Sequence, residues 1–380
     1  MPVGPVEAGG FIQQWAAPLN VNPQMPLTRL YLRGEFLYAY SAENAVYALS
    51  ASGGQILWQH HLGQPGDQIM PPLLMEKNVT VLAGISTIEK IDEHGRLLDP
   101  SGKPSGEAGM LVKPIEIGHS IRSPLSGAGN FVYGGLDYPR GGRLAKIDLT
   151  KPYNNTIWEF VTPAGISAAP VLYQAIVYAA GEDGRVYAVN EARDVVWPLP
   201  DGVFQTEGGI VADLKADNTG LYVASTDTKL YALDLTTGRI KWQYFASAPL
   251  TEAPEVTADS VYQPIRGQGL AAIDKTTGEY LRKPRWIVTT AKRFLAEDAQ
   301  YVYLQNADNS IIGVDKKTGE QKLRSTRNDL VAFASNPKGN LIYAATSGGQ
   351  VLGIKPVTKP GAVGQVVKIE LEFEPVAMAK

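Results

Sequence analysis

Four histidines, His60, His61, His94 and His119, are the chain's whole supply of imidazole for metal or proton-transfer chemistry. His60 and His61 are adjacent in a stretch with strand character. Neighbouring side chains on a strand point to opposite faces, so this pair cannot chelate one ion together. The absence of cysteine removes disulfides, thiolate metal sites and cysteine nucleophiles at once. Among the carboxylates, Asp137 and Glu182 fall beside hairpin turns, where an acid/base pair for glycoside cleavage would have room; no spacing separates them from ordinary solvated turn residues. The densest charge lies in LRKPRWIVTTAKRF, residues 281–294, which holds five cations and no acid. Arg282, Lys283, Arg285, Lys292 and Arg293, with Trp286 as aromatic anchor, are therefore the candidate partner-binding residues, set against a plain solvated loop. Residues 95–118 and 136–142 are further irregular stretches of the kind on which binding residues concentrate.

The elements that must position these groups come from a repeated unit. An apolar pair, an Asp, a Thr-Gly corner and a strand with Trp recur, most clearly from Leu230 to Trp242 (LYALDLTTGRIKW). Copies begin at Val46, Ile88, Leu144, Val186, Leu230, Leu270, Ile311 and Val351. Their spacing of about forty residues is that of four-stranded propeller blades. One interval is longer, and the Gly/Pro/Ser-rich stretch 95–118 accounts for it as an insertion leaving the second blade. Asp234, Asp274 and Asp315 sit where a carboxylate can accept backbone N–H bonds in an Asx-type turn. Gly238, Gly278 and Gly319 supply the left-handed position such a hairpin needs. Trp58, Trp158, Trp197 and Trp242 are expected on the outermost strand, filling the wedge between neighbouring blades. Together with the lack of any helical periodicity over ten or more residues, these features predict an all-β, eight-bladed propeller of four-stranded antiparallel blades.

A ring must close. The run Phe11–Trp15 reads as a stray outermost strand, so residues 1–19 form an N-terminal segment that completes the last blade, 20–358 form the propeller and 359–380 a C-terminal strand or tail. The competing closure uses residues 365–373 (QVVKIELEF).

A hydrophobic share of 44% against 19% charged provides ample core. A net charge of −3 argues against nucleic acid as partner. No apolar run of eighteen residues is present, so the expectation is no transmembrane segment, with peripheral association through a partner or a lipid anchor outside this sequence. The first residues lack a basic start and apolar h-region. The expected location is periplasm or cell envelope where an export signal lies outside the sequence, and cytoplasm otherwise; a monomer is expected.

The motif Ala-x-Asp-x-x-Thr-Gly-x-x-x-Trp, as in Ala232 to Trp242, resembles the pyrroloquinoline-quinone (PQQ) type β-propeller repeat, and the resemblance runs over residues 20–358. WD-repeat and kelch patterns fit worse, as no Trp-Asp dipeptide occurs. Within that family the nearest architecture is that of the outer-membrane assembly lipoproteins, with eight blades and no catalytic appendage. The resemblance thus implies a non-catalytic scaffold that binds a protein partner and carries no cofactor. A PQQ- and calcium-dependent oxidoreductase is the second reading, although the adjacent Cys pair of many such enzymes is missing. A carbohydrate-binding or carbohydrate-active propeller is the third.

Overall fold

A strand sandwiched on both faces needs no apolar/polar alternation, and the middle strands of the repeat show none. Every residue of Phe36–Ser41, Gly220–Ala224 and Ile342–Thr346 is buried, whereas the outer strand Ile56–His61 alternates between covered and exposed positions. The computed structural model describes residues 10–104, 112–277 and 279–357. These fold into eight sheets, or blades, in a ring, each built on four antiparallel strands, with helix confined to two 3₁₀ turns, Glu76–Asn78 and Pro200–Gly202. The blades begin, in chain order, at Leu27, Leu73, Ser126, Val171, Lys215, Glu255, Ala291 and Leu330. In each, the first strand is innermost: Val171–Tyr173 touches its counterparts Ser126–Ala128 and Lys215–Asp217 in the two adjoining blades.

The core is divided among the interfaces. Tyr38, Val46 and Trp58 of blade 1 pack with Leu82 and Ile91 of blade 2, and each later cluster likewise joins two consecutive blades. The remaining cluster brings Tyr343, Ala345 and Val351 of blade 8 against Leu30, Leu37 and Leu49 of blade 1. Closure is covalently out of sequence. Phe11–Pro18 pairs antiparallel with Gln350–Pro356 and is the fourth, outermost strand of blade 8. Residues 365–373 lie outside the described residues, as does Gly278.

The repeat motif explains itself as a docking device. Trp242 stands opposite Ala232 across the hairpin, and Trp58 and Trp286 stand opposite Ala48 and Ala272. A register shift beside each of these pairs marks a β-bulge that re-aims the outer strand. The indole tilts over a tyrosine of its own blade at about 6 Å, as in Tyr38–Trp58, Tyr222–Trp242 and Tyr262–Trp286. It then covers the glycine corner of the next blade. A Cβ at Gly238 would lie 2.5 Å from Trp197, and one at Gly319 2.6 Å from Trp286. Trp15 meets Gly54 in the same way, so the closing strand docks on blade 1. The Nε1 atoms of Trp197 and Trp286 donate to the carbonyls of Leu235 and Lys316 at 2.9 and 3.0 Å.

Three expectations need correction. Trp286 is not an exposed anchor: it is 7% exposed and plays the outer-strand role of blade 6. Trp197 is not on the outermost strand. It precedes that strand, Val203–Gln205, because Val195 already bridges to Val189 and a 3₁₀ turn intervenes. The stretch 95–118 does not simply leave blade 2, since Leu97–Leu98 and Ile115–Glu116 both pair with Thr87–Ile91 and share the outer position. Blade 4 has no glycine at its corner; Arg193 takes the left-handed conformation there, with φ 72°.

Gly238→Ala should lower the unfolding free energy by about 2 kcal/mol, the sum of left-handed strain and displacement of Trp197. Gly267→Ala, with φ +77° but no atom within 4 Å of the added Cβ, carries the strain alone. Urea melts of the two variants check this: equal losses would mean the indole contact contributes nothing. Deleting residues 1–18 should lower the thermal midpoint and broaden the transition, and an unchanged calorimetric trace would refute closure by this strand.

Candidate functional site: the loop face of the ring

Strand order sends the turns after each second strand, and the connections between blades, to one face of the ring. The Asp-Thr-Gly corners lie on the other. There the carboxylates are consumed locally. Asp234 accepts from the Thr236 and Thr237 N–H groups and the Thr237 hydroxyl, and Asp315 from the equivalent groups of Lys317 and Thr318. Asp274 accepts from Thr276 N–H and hydroxyl, both at 2.7 Å, and from Arg285 Nη2 at 2.8 Å. Burial alone would raise the Asp274 carboxyl, but these hydrogen bonds outweigh it and pull the value down to about 2.

On the loop face, Asp137 and Glu182 are brought together, though not as an acid/base pair. Arg122 lies between them, with Nη1 2.8 Å from Asp137 and Nη2 2.6 Å from Glu182, tying blade 3 to blade 4. Hydrogen bonds to Glu182, then Asp137, push the guanidinium further above its ordinary value. Both carboxylates are spent on one cation, the reverse of what a general acid for glycoside cleavage requires. Beside them His119 stacks on Tyr138 at 4.1 Å, Arg143 covers the ring at 4.4 Å, and Glu159 accepts the Tyr138 hydroxyl. His60 and His61 diverge: His60 meets Glu89 of blade 2 at 2.5 Å, while His61 is exposed beside Gln59.

The basic stretch is not one patch. Leu281–Arg282 runs parallel to Ile240–Phe245 as a fifth strand on blade 5. Arg282 is buried with its guanidinium 5.3 Å from the Trp242 ring, and burial lowers its pKa. Lys283 is exposed at this outer rim. Arg285 is held by Asp274, and Trp286 is packed between blades 6 and 7. After Pro284–Val288 a two-residue turn, Thr289-Thr290, carries the chain to the innermost strand Ala291–Glu297 of blade 7. Lys292 and Arg293 therefore stand on the loop face near the axis. They line a cleft of about 420 Å³ with Arg266, Glu252, Gln305 and the Gly267–Gly269 turn. Arg266 escaped the sequence reading because it belongs to a different turn; comparing the second-strand turns of all eight repeats would have flagged it.

A quinone with calcium would need converging donors and carboxylates. The repeat carboxylates are saturated in their own turns. The buried polar atoms without partners among the described residues, including the Trp15, Trp58 and Trp158 indoles, Tyr187, Gln263 and Asn306, are scattered around the ring. This donor set does not fit that group.

Fold and motif together define an eight-bladed propeller of PQQ-type repeats. It resembles BamB: a family model described as outer membrane protein assembly factor BamB matches residues 195–281. Curated outer membrane protein assembly factors BamB align with it from Nitrosomonas eutropha, 27% identical over 142 residues, and Kangiella koreensis, 28% over 167. These alignments cover 36% and 42% of this chain and 33% and 42% of the relatives, so the chain spans well under half the length of the curated relatives it matches. The serine/threonine-protein kinase AfsK of Streptomyces griseus aligns at 27% over 133 residues, 33% of this chain and 16% of the kinase. Among solved structures, BamB from Moraxella catarrhalis superposes with a TM-score of 0.65 at 19% identity, covering 92% of this chain and 99% of that one. The computationally designed Ika8 protein superposes at 0.63 with 16% identity, covering 91% and 99%. At such identities these superpositions speak for the fold.

The Asp274 carboxyl titrates below the ordinary carboxylate range, so its stabilisation is complete above about pH 4 and is lost as pH falls through about 2. Asp274→Asn should thus be less stable than the parent at neutral pH, with the gap closing between about pH 4 and 2. Denaturant melts over a pH series read this directly, and a gap independent of pH would contradict it.

Proposed function

We propose that this chain is a non-catalytic scaffold of outer-membrane protein assembly in the cell envelope, whose ring presents its loop face to a protein partner. The observation that carries the reading is the alignment of its repeats with two assembly factors BamB and with the family model of the same description. The geometry supports it. Asp, Gly and Trp, the residues repeated from blade to blade, are taken up by corners and interfaces, and Asp137 and Glu182 by Arg122. What stays available is the turns and connections of one face. The match to a kinase shows that the repeat travels between different proteins, so the role rests on the site and its partner.

Affinity capture with the full chain from the envelope fraction of its native cells should retain outer-membrane assembly components, identified by mass spectrometry. Recovery of none of them in repeated captures would count against the reading. Incubation with PQQ and calcium, followed by a dye-reduction assay on alcohols and aldoses, should give no turnover; substrate-dependent dye reduction would favour the oxidoreductase instead.

A further inference from the structure

We infer that the cleft between blades 6 and 7 on the loop face is a docking groove for an extended, carboxylate-rich peptide segment of a protein partner. This deepens the scaffold reading and rests on it.

The argument starts from which cations are already satisfied. On the loop face Arg122 is bound to Asp137 and Glu182, Lys229 to Glu207, Arg324 to Asp308 and Arg327 to Asp329. Arg266, Lys292 and Arg293 differ: all three are exposed, and the side chain of none of them makes an ion pair or hydrogen bond among the described residues. They come from two blades and converge on one cleft of about 420 Å³, opposed by Glu252 as its single carboxylate. Three cations with no internal partner repel one another, and an incoming carboxylate relieves that repulsion.

The shape selects among anions. The cleft has polar walls supplied by Gln305, Thr289 and Thr290, and its rim at Gly267 is bare, with nothing within 4 Å of where a Cβ would stand. An extended chain can therefore approach the backbone closely. Two arginines suit planar carboxylates, which they bind with paired N–H donors. None of the large exposed apolar side chains among the described residues lines the cleft, so it lacks the apolar insertion that usually accompanies basic residues at a lipid surface. The recess also opens beside the innermost strand of blade 7, where a flat bilayer reaches poorly.

Fluorescence anisotropy with the full chain and a labelled twelve-residue peptide of alternating Glu and Ser tests the inference. Binding should weaken with added salt, and by about tenfold or more when Glu is replaced by Gln in the peptide. Lys292→Glu combined with Arg293→Glu, and separately Arg266→Glu, should each weaken binding by about tenfold. The milder Arg293→Gln, checked for an unchanged circular-dichroism spectrum, keeps the test open if a reversal disturbs folding. Lys338→Glu, exposed in a first-strand turn on the opposite face, should leave binding unchanged. An equal loss with Lys338→Glu would reduce the effect to net charge and overturn the site. Binding to phosphatidylglycerol vesicles with no binding to the peptide would overturn the peptide assignment in favour of a lipid. Because the probe is synthetic, its failure removes this groove while leaving the envelope capture, which reports on the scaffold role, to stand or fall by itself.

Discussion

At four interfaces among the described residues the ring depends on one contact made repeatedly: an indole at the outer edge of a blade laid over a glycine corner of the next, as in Trp58–Gly95, Trp197–Gly238, Trp286–Gly319 and Trp15–Gly54. Tryptophan supplies a large flat apolar surface, and only glycine lets the neighbouring backbone come within reach while holding a left-handed turn. A blade alone cannot bury its Trp, and a corner alone has nothing to cover it. Each interface is thus incomplete until its neighbour folds, which makes the ring a cooperative object. Where the pair is absent the substitution is legible. Leu323 takes the Trp position in blade 7 and lies against Gly10, at the entry to the closing strand. Trp15 then carries the same contact from blade 8 onto Gly54 of blade 1.

That device divides labour between the two faces. The corners beneath the indoles are fixed by Asp carboxylates that accept two or three hydrogen bonds from their own turn, so the polar groups there are satisfied and ionised at neutral pH. Buried lysines reinforce the same side: Lys275, with its side chain 3% exposed, meets Asp217 at 2.5 Å. The opposite face bears turns that the indole contacts do not constrain, although ion pairs such as Arg122 with Asp137 and Glu182 join some of them. Loops in general tolerate changes of length and sequence better than the elements they connect, and loops on a rigid frame are where recognition develops.

The similarities found reflect this split. Sequence similarity to an assembly factor and to a kinase alike fits a repeat built on turn chemistry and interface packing. The family resemblance therefore describes the frame well, while Arg122, Arg266 and Arg293 lie outside the repeat motif.

The sequence by itself determined the blade count, the strand class and the Asp-turn corners, because each is a local matter. An Asp reaches N–H groups two or three residues ahead, and a strand's apolar run records how many faces it buries. It also marked Phe11–Trp15 as an orphan outer strand, since a Trp without the rest of its blade has no other use in the pattern. Only the tertiary structure decided which glycine each Trp covers, because that partner belongs to the following blade, dozens of residues away. It alone dispersed the basic stretch: the turn at Thr289-Thr290 carries the chain from rim to axis, so neighbours in sequence such as Arg285 and Arg293 face different surroundings. And it alone joined Lys292 and Arg293 to Arg266, since charges on separate turns come to line one cleft only when the ring sets those turns side by side.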